Sequence, residues 1–140
     1  MATVDYKHNN KRDNLKMKGI PVSFTPIQLH NRLNRAVWVG FKRVEQDGRT
    51  LLFLSAGAES GAQLSKNFET FAGQIVREYR FNPSEVEFIE LRERAGESQW
   101  YRWHAQWVGS APMECHGDLV TSESSRRYLS EALESSMAAA

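Results

Sequence analysis

The sequence predicts an α+β domain, a mostly antiparallel sheet of four to five strands made from two hairpins, with helices packed on one face. Three observations carry that expectation. Asp47-Gly48 separates two runs of alternating apolar residues, and both residues tolerate the positive φ of a tight type I′ turn. A second pair of such runs flanks Ala95-Gly96-Glu97-Ser98. Between and after the hairpins, apolar residues recur at spacings of three and four, the period of a helix that buries one stripe. Hairpins separated by helices build an antiparallel sheet with a helical layer.

The elements follow in order. Thr25-Pro26 reads as a helix start, with Thr as N-cap and Pro at the first helical position. Leu29 and Leu33 then share one face of a short helix, and an extended segment is the alternative. The first hairpin joins 36–46 to 49–56 and pairs Gln46 with Arg49, Val44 with Leu51, Lys42 with Phe53 and Phe41 with Leu54. Alternation places Val37, Val39, Phe41, Leu52, Leu54 and Ala56 on the core face. Trp38, Gly40, Lys42, Val44, Leu51, Phe53 and Ser55 fall on the other. From Ser60 to about Arg80 the chain reads as the main helix, opened by a capping box at Ser60-Gly61-Ala62-Gln63 and ended by Asn82-Pro83. The second hairpin pairs 85–93 with 99–108. Residues 109–118 read as a loop, followed by a short strand at Leu119-Val120. The final helix is expected over 122–136, with Tyr128, Leu129, Ala132 and Leu133 inward. The domain organisation is therefore a flexible basic arm (1–20), one domain (21–136) and a frayed tail (137–140).

Charge is the strongest functional signal. Residues 1–43 hold nine basic side chains against Asp5 and Asp13, a net +7, whereas the rest carries −6, so the formal total of +1 hides a basic head on an acidic body. Such asymmetry points to a polyanionic or acidic partner. With 41% apolar and 11% aromatic residues the chain has the composition of a globular protein. A single cysteine, Cys115, rules out an internal disulfide. The first twenty residues lack an apolar signal-peptide core, and no apolar run is long enough to cross a bilayer. The expected setting is cytoplasmic, without a membrane partner.

Two candidate surfaces emerge. The arm offers Lys7, Lys11, Arg12, Lys16 and Lys18 for sequence-blind neutralisation of phosphates. If one sheet face is open, it presents Trp38, Lys42, Phe53, Arg102 and His104, aromatic rings beside cations that suit stacked bases. The same composition suits a protein hot spot, a homodimer interface, or a face covered by the chain itself. The arm also has a rival partner in its own acidic body. Glu114-Cys115-His116-Gly117-Asp118 is the one cluster resembling catalytic or metal chemistry. Neighbours in a chain rarely aim their side chains at each other, and zinc needs ligands at suitable spacing. Neither cofactor nor metal is therefore expected, and an enzyme using Cys115 and His116 is the lesser reading. Phosphate-loop, dinucleotide, HExxH and GxSxG motifs are absent. The sequence reading is a small binding or regulatory module that contacts nucleic acid or a nucleic-acid-handling complex. A protein–protein adaptor or inhibitor is the alternative.

Overall fold

The computed structural model describes residues 19–94 and 96–139, without the side chains of Arg94 and of 136–139. The arm cations Lys7, Lys11, Arg12, Lys16 and Lys18 lie outside the described residues. The chain is α+β, and its sheet has six strands in sequential order: β1 (Thr25–His30), β2 (Ala36–Gln46), β3 (Arg49–Ser55), β4 (Val86–Arg94), β5 (Glu97–Val108) and β6 (Ala111–Leu119). Neighbouring strands are antiparallel except β3 and β4, which run parallel. A parallel pair needs a crossover, and α1 (Leu64–Tyr79) supplies it. A second helix, α2 (Glu123–Ala139), follows β6.

The first hairpin keeps the expected register: Gln46 faces Arg49, Val44 faces Leu51, Lys42 faces Phe53 and Phe41 faces Leu54. Its turn is left-handed at both central residues, with φ of 52° at Asp47 and 75° at Gly48. The expected inner face is also observed. Val37, Val39, Phe41, Leu52 and Leu54 pack with Leu64, Phe68, Phe71, Ile75 and Val76 of α1.

The opposite face is not open, which corrects the expectation of helices on one side only. Val44, Leu51, Phe53, Ile89, Leu91 and Trp100 form a second core with Leu129, Ala132 and Leu133 of α2, and Ile20 and Phe24 close it. Phe53, assigned above to an exposed binding face, is 0% exposed and meets Trp100 edge-on at 5.6 Å. The uninterrupted run Leu51-Leu52-Phe53-Leu54 is the sequence trace of this arrangement, because a strand buried on both faces has no polar side.

Three local expectations also change. Residues 25–30 form an edge strand, not a helix. Leu29 is 1% exposed but Leu33 is 64% exposed, so the two leucines do not share a face, and Ile27 and Leu29 follow a period of two. The capping box at Ser60 does not form. Ser60–Ala62 is a 3₁₀ turn, and α1 starts after Gln63 without a side-chain cap. The expected loop at 109–118 is mostly strand β6. Its Pro112 sits on the sheet's edge, where a missing N–H matters least, and Glu114 takes a left-handed φ of 52° at an irregularity in the β5–β6 register.

Candidate functional site

Beyond the cover of α2, β4 to β6 carry a line of charged groups on the second face. Arg49 donates through Nε and Nη2 to the carboxylate of Glu87, both at 2.6 Å, and Arg102 Nη1 donates to the same carboxylate at 2.6 Å. This contact with Glu87 raises the Arg49 pKa, and the guanidinium also lies 5.4 Å above the Tyr128 ring. Arg102, read from the sequence as a free cation for phosphate, therefore shares the single negative charge of Glu87 with Arg49.

One strand further on, His104 of β5 stands directly opposite His116 of β6, and their rings stack with centroids 5.0 Å apart. Asp118, two residues along β6 on the same face, meets both. Its Oδ2 lies 3.1 Å from Nε2 of His104 and 3.7 Å from Nε2 of His116. The alternation of β6 brings His116 and Asp118 together and turns Cys115 away. Cys115 packs against the α1 core. Burial, helped by the negative charge of Glu69, pushes its thiol pKa up. Cys115 and His116 therefore point to opposite faces of β6 and do not meet as a thiol–imidazole pair. The imidazole that joins His116 and Asp118 is that of His104, which the sequence reading placed on the open sheet face and also named as a residue the enzyme reading would need to converge here. A cavity of about 340 Å³ adjoins the cluster and is lined by Glu87, Arg102, His104, Trp103 and Trp107.

A second group of described cations stands at the other end of the sheet. The β1–β2 turn is held by two buried asparagines. Asn31 Oδ1 accepts from the backbone N–H groups of Leu33 and Arg35 at 3.0 and 2.9 Å, while its Nδ2 donates to the Gly61 carbonyl at 3.0 Å. Asn67 Oδ1, on the first turn of α1, accepts from the N–H of Arg32 at 3.0 Å, and Asn67 Nδ2 donates to the carbonyls of Gln63 and Gly61. Asparagine suits both positions because its amide supplies donors and acceptors together. Arg32 and Arg35 project from this turn, and Lys66 is beside Asn67; all three are exposed. Among the described residues none of the three has a carboxylate partner, whereas Arg43, Arg49, Arg92, Arg102 and Arg127 each do.

The root of the arm reaches the same end. Gly19 has φ of 76°, and a Cβ there would lie 2.7 Å from the Ala58 nitrogen, so the chain enters the domain flat against Gly57 and Ala58. Gly61, four residues on, accepts from Asn31. Trp38 of β2 donates its backbone N–H to Glu59 of this loop at 3.2 Å and is half-buried. Lys42, further along β2, donates to the Ser23 carbonyl at 3.2 Å. A cavity of about 470 Å³ opens between Gly19, the loop and the ends of β3 and β4. In its wall Glu90, 3% exposed, is bound by Arg92 through two 3.0 Å hydrogen bonds and by Trp103 Nε1 at 3.0 Å.

The sequence-predicted residues thus divide. Trp38 and Lys42 sit on β2, Arg102 and His104 sit on β5, two strands lie between, and Phe53 is core. Asn31 and Asn67 were not singled out by sequence, although Asn in a polar turn after an apolar strand is a recognisable trace. No family model, curated protein or solved structure matches the chain.

Proposed function

We propose that this protein is a non-enzymatic binding module for single-stranded nucleic acid, engaged at the end of the sheet where the arm is rooted. The observation that supports this reading is the convergence of unpaired charge. Among the described residues Arg32, Arg35 and Lys66 stand without carboxylate partners around the Asn31–Asn67 staple, and Gly19, which follows the five cations of residues 1–18 in sequence, lies against Gly57 and Ala58 of the loop that the staple grips. Phosphates are bound by such groups through release of condensed counterions, which makes affinity steeply salt-dependent and nearly blind to sequence. The staple matters because an ordered turn loses less entropy on binding than a loose one. A stacking platform formed by the open sheet face has no part in the proposal, since Phe53 is buried.

The test is fluorescence anisotropy of short single-stranded RNA and DNA against the full chain over a salt series. Each phosphate contact contributes about 0.7 to the slope of log K against log salt for single strands. Deleting residues 2–18 is expected to flatten that slope by about two to three units. Arg32→Ala with Arg35→Ala is expected to flatten it by about one more. An intact chain that binds neither strand at low salt would overturn the proposal.

A further inference from the structure

We infer that His104, His116 and Asp118 form a binding site for one transition-metal ion of the zinc class, a clip across the outer hairpin of the sheet. The inference is independent of the nucleic-acid reading, because the cluster lies on β5 and β6, away from the basic end.

The geometry carries it. One ligand atom from each of the three side chains lies within 4.8 Å of the other two. Both imidazoles turn Nε2 toward the same carboxylate oxygen, at 3.1 and 3.7 Å. Zinc bonds of about 2.0–2.1 Å in a tetrahedron set neighbouring ligand atoms about 3.4 Å apart. The two separations to Asp118 bracket that value, and the imidazole nitrogens lie within 4.8 Å of each other, so an ion would be admitted by side-chain shifts of about 1 Å or less. The backbone also favours it. His104 and His116 are register partners, and Asp118 shares their face, so two adjacent strands fix all three Cβ positions.

Charge compensation leaves the carboxylate free for this role. Arg102 is the register partner of Asp118, yet its Nη1 donates to Glu87 at 2.6 Å, and the described ion pairs of Asp118 are with the two histidines only. Donor chemistry then selects the ion. Two imidazoles and one carboxylate suit zinc and its neighbours cobalt, nickel and copper, whereas magnesium and calcium require mostly oxygen ligands. Three protein ligands leave one position open, as at zinc sites that hold water or an incoming group. All three side chains are exposed, and His104 also lines the cavity beside Arg102 and Trp107, so the open position is accessible.

The test is calorimetric titration of the full chain with Zn²⁺, together with the visible spectrum of the Co²⁺ form, whose intense d–d bands report four-coordination. One equivalent of Zn²⁺ is expected to bind. Affinity should fall at least about 100-fold in His104→Ala, His116→Ala and Asp118→Asn, since losing even an outer partner of a metal ligand costs 10–100-fold. The cobalt bands should disappear in the same variants. His30→Ala and His8→Ala, which keep the cluster, should retain full affinity. Because the substituted side chains are exposed, far-ultraviolet circular dichroism is expected to stay native, and His104→Gln provides a second variant should His104→Ala unfold. Full Zn²⁺ affinity in the folded His104→Ala/His116→Ala double variant would overturn the inference. So would an intact, folded chain that binds no Zn²⁺.

Discussion

Phe53→Ala tests whether the second face of the sheet is a core or a surface. The side chain is 0% exposed, meets the Trp100 ring edge-on at 5.6 Å and the Phe24 ring at 6.4 Å, and belongs to the cluster that seats Leu129 and Leu133 of α2. A buried aromatic side chain hides about 150–250 Å². Truncation that keeps the methyl group forfeits about 120 Å² of it, worth about 3 kcal/mol at roughly 25 cal/mol per Å². The space vacated is about 100 Å³, and if half stays open the cavity adds about 1 kcal/mol at roughly 24 cal/mol per Å³. The expected loss is therefore about 4 kcal/mol, inside the usual range for Phe→Ala in a core. With a urea slope of about 2 kcal/mol/M, the unfolding midpoint should fall by about 2 M, followed by tryptophan fluorescence and circular dichroism together. Phe53→Leu, which keeps most of the volume, should cost less than about 1.5 kcal/mol. A midpoint shift in Phe53→Ala below about 0.3 M, the scale of a surface substitution, would refute the two-faced core.

Two further outcomes follow from the packing of β6. In Gly117→Ala the new Cβ would lie 2.7 Å from Cε2 of Trp103, whose ring is stacked on Phe68 at 4.5 Å and tethered to Glu90. Moving the ring would disturb that stacking and that hydrogen bond, so a loss of about 1–3 kcal/mol is expected in thermal or urea unfolding; an unchanged midpoint would show that Trp103 does not cover this strand. Cys115 has its thiol pKa raised, first by burial and then by Glu69, so at pH 8 it holds a smaller thiolate fraction than a free thiol. Alkylation of the native protein should accordingly be slower than in urea, and a native rate matching the denatured one would contradict this placement of the side chain.

How much could be read from the chain depended on how local each signal was. The Asp47-Gly48 turn defines its own register, because a two-residue left-handed turn leaves one way to align the strands on either side. The stripe Leu64, Phe68, Phe71, Ile75 and Val76 likewise needs no partner to be recognised as one helix face. Other features were ambiguous locally. Thr25-Pro26 opens a helix or an edge strand equally well, and the decision came from pairing with β2, where Ile27 meets Val39 and Leu29 meets Val37. Residues 111–119 contain proline, glycine and a left-handed Glu114, all loop signals, yet pairing with β5 holds them as a strand. The candidate sites divide in the same way. The basic head is visible as composition, but the staple that presents Arg32 and Arg35 joins residues more than thirty positions apart.

The sequence by itself determined the α+β class, the first hairpin with its register, the main helix and the charge split between head and body. Each is a property of composition or of residues close along the chain, where turn geometry and side-chain period act directly. Only the tertiary structure decided which faces are covered and which distant groups meet. After β6 the chain returns along the face opposite α1 and buries Phe53, and the pairing of β5 with β6 sets His104 against His116. Cover and convergence depend on where the chain comes back, and that is settled by burying two apolar faces at once, a condition that no local pattern states.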